Sequence, residues 1–77
     1  MTKDEKLLLE LYKAILKRGE ASGTANPFQV GKKLGYNEHL VKNILKGLMQ
    51  ANLVKGYSPE EVRLTERGLK VAAALAG

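Results

Sequence analysis

Apolar and polar positions separate with a helical period through most of the chain. Leu8, Leu11, Tyr12 and Ile15 share one face, which Leu7 and Leu16 widen. Ahead of them, Thr2-Lys3-Asp4-Glu5 fits a capping box. The Thr2 hydroxyl can accept from the Glu5 amide, and the Glu5 carboxylate can reach back to the Thr2 amide. Asp4 and Glu5 near the start, with Lys17 and Arg18 near the end, complement the helix dipole. The pattern predicts a helix from about Lys3 to Arg18, stopped by Gly19. The small, polar run Gly19 to Ala25 that follows carries no core pattern and reads as a connection. Its glycines do not make a phosphate loop, because no Lys-Ser or Lys-Thr follows at the required offset.

Asn26-Pro27 is a helix start, a capping side chain before a residue preset for the first turn. The predicted helix is short, from about Pro27 to Leu34, with Val30, Gly31 and Leu34 inward. Glycine costs about 1 kcal/mol relative to alanine inside a helix, so Gly31 predicts a close helix–helix approach. Gly35 ends this helix, Tyr36 plugs the turn and Asn37 caps the next helix, expected from about Glu38 to Ala51. Val41, Ile44, Leu45 and Leu48 form its dry stripe. His39, Lys42, Asn43 and Lys46 repeat that spacing two residues earlier, about 160° around the axis. Asn52 suits the left-handed exit. Gly47 has two readings: it admits the first or last helix, or it is simply tolerated.

Leu53 to Tyr57 and Val62 to Leu64 are short, partly alternating runs around Ser58-Pro59-Glu60-Glu61, with Pro59 suited to the second position of a type I turn. They predict a β-hairpin, which must lean on the helices because two strands alone are barely stable. Thr65 starts the last helix, with Leu64 and Leu69 placed for a hydrophobic staple. After Arg67 this helix carries only Lys70 as a charge and is apolar nearly all round. Such a helix is expected to be covered on more than one side, the second by a partner subunit in a homodimer.

The 77 residues read as one domain spanning residues 1–77. A chain of this size buries only about 60% of the surface its unfolded form exposes, so tight helix packing or association is needed. The absence of cysteine leaves neither a disulfide framework nor a thiolate metal site, and fits a reducing, cytoplasmic setting. No stretch reads as a signal peptide or spans a bilayer. The net charge is +5, and residues 28–57 alone carry Lys32, Lys33, Lys42, Lys46 and Lys55 against Glu38, a balance of +4. Basicity gathered on the central helices suits a polyanionic partner. Catalysis is not expected: His39 is the single histidine, and no cysteine or Ser-His-acid set could activate a nucleophile. No cofactor, metal or small-molecule ligand is implied.

The order helix, helix, turn, helix, hairpin, helix, with its residues, resembles the winged helix-turn-helix family, including small bacterial and archaeal transcriptional regulators of the MarR and PadR type. Asn26 to Asn37 looks like that family's positioning helix and turn. Val41, Leu45 and Leu48 followed by Asn52-Leu53-Val54 look like its recognition helix and exit into the wing. Val62-Arg63-Leu64-Thr65-Glu66-Arg67-Gly68 is similar to the segment that closes the wing and opens the final helix. The resemblance covers about residues 3 to 76. It implies a mainly α fold with a small β-hairpin: a three-helix core, a two-stranded wing and a C-terminal helix.

It also implies sequence-specific binding of double-stranded DNA, with the third helix in the major groove. Glu38, His39, Lys42, Asn43 and Lys46 fall on the family's outward positions. Asn43 has the chemistry for a bidentate contact to adenine, and Lys42 for guanine or phosphate. Lys32, Lys33, Lys46 and Lys55 suit phosphates, and Arg63 is a weaker candidate for that role. Three features depart from the pattern. Glu60 and Glu61 put acid at the wing tip, where the family usually has base. Leu40 sits where the family often has a small or hydroxylated residue, and Phe28 at a first-turn position often exposed; the two either complete the core or form an apolar binding patch. The alternative reading is a winged helix that binds protein and not DNA. No aromatic array for stacking RNA bases is visible.

Overall fold

In a computed structural model, described over residues 1–19 and 23–77, every helix begins at a side-chain cap. Helix α1 (Lys3–Lys17) opens with the reciprocal box: the Thr2 hydroxyl accepts from the Glu5 amide at 3.1 Å, and the Glu5 carboxylate accepts from the Thr2 amide at 2.9 Å. Asn26 caps α2 (Pro27–Lys33) by accepting from the Phe28 amide at 2.9 Å. Asn37 caps α3 (Glu38–Gln50) through the Leu40 amide at 2.8 Å. Thr65 caps α4 (Glu66–Ala76) through the Gly68 amide at 2.9 Å, and its hydroxyl also donates to the Asn52 carbonyl at 2.6 Å. Thr65 therefore ties the exit of α3 to the entry of α4.

The ends differ from expectation by single residues, because Arg18, Leu34 and Ala51 act as C-caps. Both ends that flank the α2–α3 pair are Schellman turns. Gly35 (φ +77°) lets the Tyr36 amide reach the Gly31 carbonyl at 2.9 Å. Asn52, at φ 59°, lets the Leu53 amide reach the Leu48 carbonyl at 2.9 Å. That second turn takes Leu53 out of the strand, so the first strand is shorter than expected.

Strands β1 (Val54–Gly56) and β2 (Val62–Leu64) pair antiparallel, with Val54 opposite Leu64, Lys55 opposite Arg63 and Gly56 opposite Val62. The turn between them closes as the sequence predicts, the Glu61 amide donating to the Ser58 carbonyl at 3.3 Å and to its hydroxyl at 3.1 Å. Ala25 adds a one-residue bridge on the free edge of β2, exchanging two hydrogen bonds of 2.9 Å with Val62. The connection Gly19 to Ala25 thus ends as a piece of sheet, which a single alternating residue could not signal. Its residues 20–22 lie outside the described part.

Leu7, Leu8, Leu11 and Ile15 of α1 are at most 1% exposed and form the middle of the core. Val30, the α3 stripe, and Val54, Val62 and Leu64 of the hairpin close around them. Each fully buried aliphatic side chain contributes about 1.5–3 kcal/mol. Phe28 and Leu40 are half-buried and pack on this core, so both complete it. Helix α4 packs on α1 and buries Gly68 and Ala72, with Leu69 and Leu75 half-buried. Its outer side carries Ala73, Ala74 and Ala76, the residue type with the highest helix propensity, and Val71, 36% exposed.

Two glycines are set by contact. A β-carbon on Gly31 would fall on Val41 Cγ2, and one on Gly68 on the Leu53 carbonyl, so the first sets the approach of α2 to α3 and the second seats α4 against the hairpin entry. Gly47 is different. A β-carbon there would meet only Asp4 Oδ2, at an ordinary 3.7 Å, which favours the reading that glycine is tolerated. Among the described residues, no helix is long and apolar enough to cross a membrane.

Candidate nucleic-acid interface

Burial of Val41, Ile44, Leu45 and Leu48 fixes the rotation of α3. The opposite line then presents His39, Asn43 and Lys46, all exposed, and extends by one further turn to Gln50. Gln50 was missing from the residues singled out above, although its spacing from Asn43 and Lys46 carries the signal. Glu38 and Lys42 occupy one flank of this line and pair at 3.4 Å. Both side chains are more than 60% exposed, so the pair is worth only a few tenths of a kcal/mol and Lys42 can exchange it for a stronger anion. The face therefore mixes cations with two amides and an imidazole, which suits hydrogen bonding to base edges with charge attraction to phosphates.

The remaining candidates divide. Lys55 and Arg63 meet directly across the hairpin on its outer side, beside a hollow of about 360 Å³ that also reaches Asn52 and Thr65. Lys32 and Lys33 are both exposed but diverge. Gly31 faces α3, and Lys33 lies about 160° around α2 from it, lining the groove between α1 and α2 with Lys13 and Lys17. Lys33 is thus on the flank of α2 turned away from α3, and Lys32 is the nearer of the two to the α3 side.

The acid at the hairpin tip is partly directed elsewhere. Glu61 accepts a hydrogen bond from the Thr24 hydroxyl at 3.2 Å and lies 4.0 Å from the Arg18 guanidinium, which itself donates to the Thr24 carbonyl at 3.3 Å. These contacts hold the turn against the end of α1. Glu60 remains exposed. The body of the hairpin is basic while its tip is acidic, as the order of charges along the chain predicts.

Among the described residues there is no group of three or more His, Cys, Asp or Glu that could hold a metal ion, and no buried charged side chain. Glu5 has a lowered pKa. The Thr2 amide and hydroxyl hydrogen bonds stabilise its carboxylate and lower it from the ordinary 4.5. That carboxylate belongs to the helix cap.

Compared with protein-family models, curated proteins and solved structures, the chain matches none. The functional reading rests on the surface just described.

Proposed function

We propose that this chain is a winged helix-turn-helix domain that binds double-stranded DNA. Helix α3 enters the major groove, and Lys55 and Arg63 of the hairpin approach the backbone. The role proposed for it is that of a small transcriptional regulator. The observation that carries the reading is the outward line of α3, where His39, Asn43, Lys46 and Gln50 lie opposite a fully packed stripe. Nothing in the fold uses the side chains of Asn43, Lys46 and Gln50, which are exposed and available to a partner. The order of elements supports the fold assignment, as does the Ala25 bridge that adds a third, minimal strand beside β2.

The division of labour follows from side-chain chemistry. Asn43 can present its amide to the N6 and N7 edge of adenine, and Gln50 has the same chemistry two turns on. Lys42, Lys46, Lys55, Arg63 and Lys32 neutralise phosphates and set the register. His39 and Glu38, at the start of α3, lie where a recognition helix first meets base edges. Pairing of two copies through the outer side of α4 belongs to the same proposal. It would set two α3 helices about 34 Å apart on a palindromic site, and a monomer by sedimentation with DNA present removes it.

Amide chemical-shift mapping with a mixed-sequence duplex tests the assignment of the face. Shifts are expected along α3 and at Lys55 and Arg63. Shifts confined to α1 and α4 would overturn it.

A further inference from the structure

We infer that the groove between α1 and α2 is a docking site for an extended acidic segment of a protein partner. The inference is independent of the DNA reading, because the groove uses other residues on another side of the molecule. One hollow of about 180 Å³ is lined by Glu10, Lys13, Ala14, Lys17, Val30 and Lys33. A second, about 210 Å³, shares Ala14, Lys17, Val30 and Lys33 with it and reaches Arg18 and Ala25. A third, about 420 Å³, shares Arg18, Asn26 and Gln29 with the second and ends at the Ser58–Glu61 turn. The overlapping linings make one trench.

The charge of the trench is graded. Its first two hollows hold Lys13, Lys17, Arg18 and Lys33 against Glu10; Lys13 pairs with Glu10 at 3.4 Å and Arg18 lies 4.0 Å from Glu61, which leaves the charge of Lys17 and Lys33. Its far end adds Glu60 and Glu61. Between the cations the floor is Ala14, Ala25 and Val30, small and apolar. An extended peptide uses both features, alternating side chains into the floor and toward the walls. A duplex backbone has no use for an apolar floor, and a short segment can stop before the two glutamates, which repel any anion. Position argues the same way. Gln29 and Lys33 each lie about 160° around α2 from Gly31, the residue against α3, so DNA held by α3 faces the opposite flank. The occupant that fits is a strand-like segment with acidic residues over Lys17 and Lys33 and small side chains between them.

The probe is a fluorescein-labelled peptide of alternating Asp and Ala, titrated into the full chain by anisotropy and by amide shifts. Binding with shifts at Lys17, Val30 and Lys33 is expected. Lys17→Glu/Lys33→Glu should weaken it about tenfold or more, since two attractive contacts become repulsive. Lys17→Ala/Lys33→Ala should give a smaller loss with unchanged helical CD, and Lys13→Ala/Lys17→Ala, which leaves Lys33 in place, should retain duplex binding. Three outcomes overturn the inference: no peptide binding; an equal loss from Lys42→Glu/Lys46→Glu; or a groove variant that loses DNA affinity and salt dependence while the peptide leaves the groove unmoved, which assigns the trench to nucleic acid.

Discussion

Lys55 and Arg63 are cross-strand partners on the outer side of the hairpin, two cations held opposite each other in a sheet of two strands. Like charges in that relationship destabilise a hairpin, and no fold requirement places them there. An anion between them reverses the sign. Replacing Arg63 with threonine, a strand-favouring neutral residue, should raise thermal stability by a few tenths of a kcal/mol. The same change should weaken duplex binding alike for all sequences and reduce the salt slope by about 1. Thermal melts and binding titrations on one preparation check both. A variant that loses stability and keeps its affinity would remove the hairpin from the interface.

The mid-helix glycines should separate by sign. Gly31→Ala forces a β-carbon onto Val41 and should cost about 1–3 kcal/mol by overpacking, a loss that Val41→Ala partly relieves. Gly68→Ala meets the Leu53 backbone, which cannot rotate away, and should be the worst of the three. Gly47→Ala meets nothing closer than 3.7 Å and should stabilise α3 by about 0.5–1 kcal/mol. Denaturant midpoints rank them.

Asn43 and Lys46 occupy neighbouring turns of one line and should behave differently. Asn43→Ala should cost about 1–3 kcal/mol on a preferred sequence and relax selectivity at one base pair. Lys46→Ala should weaken all sequences equally. Randomised-duplex selection before and after each substitution distinguishes a base contact from a phosphate contact.

The capping box predicts one limb of the stability–pH curve. The pKa of Glu5 is lowered in the folded chain, so its contribution is complete above the ordinary 4.5 and is lost as pH falls through the lowered value. Thr2→Ala removes both the hydroxyl acceptor and part of that lowering, so the acid-side fall should flatten. Melting temperatures measured across that window for both chains show it.

The helices, both Asn caps, the Thr65 start and the Asn52 exit were all legible in the sequence because each rests on local chemistry: a periodic stripe, an oxygen at the cap, a residue that accepts positive φ. The α3 face was legible for the same reason, since one apolar stripe fixes its opposite. What escaped depends on register between distant segments. The Ala25–Val62 bridge joins residues 37 apart. The opposition of Lys55 and Arg63 needs the hairpin pairing. The turning of Glu61 toward Thr24 and Arg18 needs the bridge that brings the connection to the sheet. The divergence of Lys32 from Lys33 was available in outline, but which flank meets α3 is set by Gly31 against Val41. The alanine-rich outer side of α4 reads as apolar by composition, yet in the fold one side packs on α1 and the other carries mostly alanine, the best helix former.

The most direct measurement is a titration of a mixed-sequence duplex at several salt concentrations, with the parent chain and with Lys42→Glu/Lys46→Glu. Four to six phosphate contacts give a slope of log K against log salt of roughly −4 to −5 for the parent chain. The double reversal should abolish binding while the helical CD signal stays intact. Absent or salt-independent binding by the parent chain, or undiminished binding by the reversed one, contradicts a DNA-binding α3.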